Sequence, residues 1–227
     1  VDTVEIRYMS AKDEDILTSR SLLKKGVAIE RMLENILVDK NIKVDDLLVG
    51  DKNALIVAAR ITGYSEKYET KITCPACTEI ANYTFDLSDR KLNFGGELKT
   101  HNVMETETGT FVIELPVSKV KLEMRLLTGH DEKKLAESFE KRRKHNLPEA
   151  TLTDQFKLMV VSVDGDSTTK TISSFTEIMP ARDSRYLRLV YSTMMPNIDL
   201  NQVFTCPLCA HEEEVDVPFT VDFFWPK

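Results

Sequence analysis

All four cysteines of this chain fall in two copies of one five-residue pattern, Thr73-Cys74-Pro75-Ala76-Cys77 and Thr205-Cys206-Pro207-Leu208-Cys209. Two Cys separated by two residues can place both thiolates on one cation, with the N–H groups of a tight turn aimed at sulfur. One such knuckle supplies two ligands and a structural zinc takes four. The pair therefore predicts a tetrahedral four-cysteine site made of Cys74, Cys77, Cys206 and Cys209, with structural Zn2+ as the cofactor. A zinc enclosed by four thiolates has no position for water, so the pattern points to scaffold and not to catalysis. His211, two residues past Cys209, is a further candidate ligand but reads as a hairpin residue.

The flanks support two hairpins. Tyr83, Phe85 and Leu87 alternate after the first knuckle, and Val215 and Val217 alternate after the second. Period-two alternation on either side of a turn is the signature of paired strands. Two hairpins gripping one metal make a zinc-ribbon-like module. Its spacing is unusual: 128 residues lie between Cys77 and Cys206, against about 15–20 in the compact motif. The metal would thus close a long loop around a large inserted region. Three other readings compete. Disulfides suit an oxidising compartment. A redox pair belongs between a strand and a helix start. An iron site of the same geometry is coloured and redox-active.

The expected fold class is α+β, with zinc-ribbon-like hairpins of four cysteines joined to helices and a large mixed insertion between the knuckles. At 227 residues the chain is long enough for one domain or two small ones. Three regions are expected: a helical region over 1–65, a discontinuous ribbon-like module over 66–90 plus 200–227, and an inserted α+β region over 91–199. Ser10 with Asp13 three residues on, and Thr128 with Asp131, are capping patterns that start helices. Gly63 is placed to cap the end of a helix that begins near Lys52. Residues 111–126 read as a hairpin, and helices are expected over about 151–163, 172–179 and from Ala181 to near Pro196.

The net charge of −7 opposes non-specific binding to a nucleic-acid backbone, which needs a positive field. No run approaches the ~18 apolar residues of a membrane span, and no secretory leader is read in the first residues. Lys141-Arg142-Arg143-Lys144 is the one dense basic run, and reads as a solvated last turn of a helix, where cations favour the dipole. Asp45, Asp46 and Asp51 lack the order of a calcium loop. There is no Gly-rich phosphate loop, no G-x-S-x-G and no H-E-x-x-H, so nothing nominates an acid, base or nucleophile and the chain reads as no enzyme. The end, Phe223-Phe224-Trp225, is strongly apolar. It either folds back or contacts a partner, and these three residues are the candidate partner-binding set.

Several stretches taken together resemble one family. They are Asp13-Glu14-Asp15-Ile16-Leu17-Thr18, Val44 to Ala54, Arg60-Ile61-Thr62-Gly63-Tyr64, the paired knuckles, Pro180-Ala181-Arg182-Asp183-Ser184-Arg185 and the Phe223-Phe224-Trp225-Pro226 ending. The set is similar to the baseplate proteins of T-even-like contractile-tailed bacteriophages, hub subunits or hub assembly chaperones, over about residues 10–227. The resemblance implies a viral structural or assembly protein of the tail baseplate. It would be made in the host cytoplasm and, as a subunit that stays, found in the virion. Its partners would be other baseplate or tail hub proteins, with copies around a symmetric hub as one arrangement, and neither nucleic acid nor membrane. The alternative is a zinc-ribbon nucleic-acid-binding or transcription-related phage protein.

Overall fold

Ser10 and Thr128 each begin a helix, and both do so by the same local device. In a computed structural model of the chain, which describes residues 3–95, 101–217 and 221–224, the Asp13 carboxylate accepts the Ser10 N–H at 2.8 Å and the Asp131 carboxylate accepts the Thr128 N–H at 3.0 Å. Each carboxylate answers a helix N-terminus whose first N–H groups have no intrahelical partner.

Along the chain the helices α1 (Ala11–Thr18), α2 (Arg20–Lys25), α3 (Ala28–Ile36) and α4 (Val49–Gly63) come first. Strands β1 (Lys67–Thr73), β2 (Ile80–Asp86), β3 (Lys91–Asn93), β4 (Met104–Glu105), β5 (Phe111–Glu114) and β6 (Lys121–Met124) follow. Then come α5 (Gly129–Lys144), α6 (Thr151–Met159), β7 (Val160–Val163), α7 (Thr169–Ile178) and α8 (Ala181–Met194). Strands β8 (Asn197–Asp199), β9 (Gln202–Thr205) and β10 (Glu212–Val215) precede a closing 3-10 turn, Val221–Phe224. The fold is mixed α+β.

Two compact units divide the chain: Val1–Val44 with Asp51–Asn93 and Asn197–Lys227, and Asp45–Gly50 with Phe94–Pro196. In the first unit, α3 buries Ala28, Met32, Leu33 and Ile36 along one stripe, the i, i+4, i+8 spacing of an amphipathic helix. That stripe joins Leu17, Val57, Tyr68, Phe85, Leu87, Phe223 and Phe224 in one core. β1 pairs antiparallel with β2, β9 with β10, and β3 with β8.

The second unit is a four-stranded antiparallel sheet in the order β4-β5-β6-β7. Its core takes Ile113, Leu122 and Met124 from the sheet, Phe156 and Met159 from α6, and Leu187, Val190 and Met194 from α8. Here the helix expected to reach Val163 stops at Met159. Val160-Val161-Ser162-Val163 is a strand and pairs with β6. Three of its four residues are β-branched, which favours a pleated surface with a partner over a helix.

Gly63 is also used differently from the expectation. It is the last residue of α4 and not a left-handed cap. A Cβ there would stand 3.0 Å from the Met9 sulfur, so the missing side chain serves close packing.

Candidate metal centre

The two knuckles are built alike. Thr73 pairs with Ile80, and Thr205 pairs with Glu212, so each hairpin carries a six-residue loop that begins with its first cysteine. The Cys74 N–H donates to the Glu79 carbonyl at 2.9 Å and the Cys206 N–H to the His211 carbonyl at 2.8 Å. The Thr78 N–H returns to the Cys74 carbonyl at 2.8 Å and the Ala210 N–H to the Cys206 carbonyl at 3.0 Å. Thr78 and Ala210 both have positive φ, 61° and 57°. Four residues after the first cysteine, each chain therefore turns through the left-handed region, which costs a side-chain-bearing residue about 1–2 kcal/mol.

The hairpins also meet each other. The Tyr83 hydroxyl donates to the Val203 carbonyl at 2.8 Å. The Gln202 side chain bridges the Asp86 backbone, accepting at 3.1 Å and donating at 2.6 Å. Tyr83 and Phe204 rings make an edge contact at 5.2 Å. Cys74, Ala81, Phe204 and Cys206 form a small buried cluster beneath the knuckles.

All four sulfurs lie within 4.8 Å of one another. Cys74 and Cys209 Sγ are 3.7 Å apart, and Cys77 and Cys206 Sγ are 3.8 Å apart. Four sulfurs about 2.3 Å from a central zinc stand about 3.8 Å from one another in a tetrahedron. A disulfide needs about 2.05 Å, and all four cysteines are free. The residues present thus fit a single thiophilic cation. The electrostatics agree. The Cys209 and Leu208 N–H groups aim at the Cys206 sulfur and hold its thiol down to about 7. At Cys209 the His211 N–H pulls the other way, but burial and the neighbouring sulfurs push the thiol up to about 12. Four thiols this close cannot all ionise without a cation between them.

Among the described residues this is the group of metal-ligating side chains brought together. The His211 Nε2 lies 3.8 Å from a Glu213 carboxylate oxygen, as suits a hairpin residue. Asp45 pairs with Lys133 at 2.6 Å and Asp46 with His130 at 3.1 Å. In the basic run, Arg142 reaches Asp154 at 3.3 Å and Arg143 reaches Glu140 at 2.9 Å.

Phe223 and Phe224, named above as candidate partner contacts, are turned into the core of the first unit, 1% and 2% exposed. Trp225 lies outside the described residues. A residue that the sequence reading did not single out for this role, Arg60, holds this end in place. Its buried guanidinium donates from Nε to the Phe223 carbonyl at 2.7 Å, and from its two other nitrogens to Ser65 and Lys67 carbonyls at 2.9 and 3.1 Å. The guanidinium also lies over the Tyr64 and Tyr68 rings, 5.1 and 5.9 Å from their centroids. Burial pushes its pKa down. Phe223 and Phe224 fold back because the core offers both a place for their rings and a donor for the backbone.

No helix among the described residues is long and apolar enough to cross a membrane. A family model described as T4 bacteriophage base plate protein matches residues 1–225. No curated protein and no solved structure matches the chain.

Proposed function

This chain belongs to the T4 bacteriophage base plate protein family, and on that premise we propose that it is a structural or assembly protein of the tail baseplate hub, with a zinc ion as a structural part. The family match over nearly the whole length carries the baseplate reading. The cluster of four thiols supports the zinc. Cys74, Cys77, Cys206 and Cys209 would hold it, and the ion would supply a crosslink between two hairpins that are distant in sequence. With four thiolate ligands the shell is closed, so the ion offers no Lewis-acid position and the activity is protein–protein binding.

The fold makes such a crosslink useful. The second hairpin carries the chain into its final turn, where Phe223 and Phe224 complete the core of the first unit. A metal fixing β9 and β10 to β1 and β2 would therefore also limit how far Phe223 and Phe224 can leave that core. Within the basic run that speaks for the nucleic-acid alternative, Arg142 and Arg143 face carboxylates, which favours the protein-binding reading.

Quantitative mass spectrometry of purified tails tests the reading. The chain at a fixed small ratio to a tail-tube protein is the expected result for a subunit. Presence in assembly intermediates alone marks an assembly factor. Absence from both overturns the baseplate reading.

A further inference from the structure

Helix α8 has two faces of opposite character. Asp183, Leu187, Val190 and Met194 are buried. Asp183 is its one carboxylate, and it accepts the Val117 and Ser118 N–H groups at 2.8 and 2.9 Å. The exposed positions are Ala181, Arg182, Arg185, Arg188, Leu189 and Ser192. At 3.6 residues per turn they occupy one continuous arc of about 120°. Three guanidinium groups and Leu189, 52% exposed, stand on that arc, and no carboxylate does.

The contrast is with most other arginines, Arg20 on α2 being exposed in the same way. Arg7 faces Asp13, Arg31 faces Glu34, Arg125 faces Asp131 and Arg143 faces Glu140. The guanidinium groups of Arg182, Arg185 and Arg188 make no hydrogen bond or ion pair with another described residue, although the Arg182 charge helps hold the neighbouring Asp183 carboxyl ionised. In a chain of net charge −7 this strip is not a sample of a generally positive surface.

We infer that the exposed face of α8 is a docking surface for an acidic protein surface on another baseplate component. The planar fork of arginine matches a carboxylate with two parallel hydrogen bonds, and arginine is enriched where proteins meet. Leu189 supplies an apolar contact among the charges, which a binding centre needs to exclude water. Asp183 makes the platform stiff, because it ties the first turn of α8 to the loop at Val117 and Ser118. Nucleic acid fits less well: three charges on an acidic chain release few counterions. The partner's identity rests on the baseplate reading, but the surface itself stands on the second unit and is independent of the metal.

The test is a photo-crosslinking residue, p-benzoylphenylalanine, placed at Leu189 in the full chain produced during phage infection. The expected result is one discrete crosslink to another baseplate protein, at a peptide rich in Asp and Glu. Its yield falls about tenfold in R182E/R185E/R188E. All three side chains are exposed, but Arg182 also acts on the neighbouring Asp183, so R185E/R188E, expected to keep its Tm within about 2 °C, is made as the folding control. The neutral R185Q/R188Q pair gives a smaller loss and serves if charge reversal disturbs folding. Absence of a protein crosslink, a crosslink to nucleic acid, to another copy of this chain or to a protein outside the baseplate, or a crosslink that survives the reversal overturns the proposal. A chain found in tails without this crosslink overturns the docking face and leaves the baseplate reading standing.

Discussion

Cys74 and Cys209 are 135 positions apart in sequence, yet their sulfurs stand 3.7 Å from each other. The distance is too long for a disulfide and matches the edge of a zinc–thiolate tetrahedron. The second hairpin's cysteines thus complete a site that the first hairpin only half supplies.

Replacing one ligand follows from that relationship. Cys77→Ser removes a thiolate and leaves three that a cation holds less tightly. The expected loss is about 3 kcal/mol or more, lowering Tm by roughly 6–12 °C. Chelation of the wild-type chain should produce a similar fall, and little further fall in the variant. Differential scanning calorimetry with and without chelator reads both. Equal melting of all four samples would sink the crosslink.

Arg60 makes a second, separate bond between distant parts of the chain, 163 positions from Phe223. Arg60→Met keeps much of the volume but takes the guanidinium donor from the buried Phe223 carbonyl and from the part-buried Ser65 and Lys67 carbonyls, the last of which keeps the Ser65 hydroxyl. Each such loss costs about 1–3 kcal/mol, so a total near 3 kcal/mol is expected in urea unfolding. Hydrogen exchange at Phe223 and Phe224 should rise more than exchange in α5, which lies in the other unit. Uniform change across the chain would contradict the local clamp.

Asp131 sets a pH dependence. Burial raises its pKa, but the Arg125 guanidinium at 2.7 and 2.8 Å and the Thr128 N–H outweigh that and hold the carboxyl at about 2. A folded pKa below the unfolded value of about 3.9 stabilises the chain above pH 4, and that stability is lost as pH falls from about 4 to about 2. Asp131→Asn should therefore cost about 2 kcal/mol at pH 7 and show little difference from wild type near pH 2. A constant difference across that window would show that the charge is not the cause.

Ala210 occupies the left-handed region at φ 57°. Glycine reaches that region without the Cβ penalty. Ala210→Gly should raise stability by about 0.5–1 kcal/mol, or roughly 1–4 °C in Tm, with metal content unchanged. A lower Tm would mean that the methyl group packs usefully and that the turn is not strained.

Much of this was legible in the residues, and for identifiable reasons. The cysteine pairs announced themselves because their local spacing is the ligand geometry, and the two hairpins followed from alternation. The caps at Ser10 and Thr128 could be read because their return carboxylates lie three residues away. The long-range partners could not be read. Arg60 donates to backbone carbonyls, which carry no residue identity, and Phe223 finds its core through pairings that no local pattern records. The Val160–Val163 strand was hidden because it continues an apolar helix without a break, and only pairing with β6 distinguishes the two. One further signal lies in the sequence itself. Arg7-x-x-Ser10-x-x-Asp13 and Arg125-x-x-Thr128-x-x-Asp131 repeat the same spacing, and each folds into the same cap with an arginine across it.

Metal content is the most direct test of the proposed four-cysteine crosslink. The full protein, purified without added metal or chelator, should contain one zinc per chain by inductively coupled plasma mass spectrometry. Cys74→Ser should contain far less. A folded, metal-free wild-type chain with the same Tm would contradict the structural zinc, and stoichiometric iron with visible colour would replace zinc by an electron-carrying site.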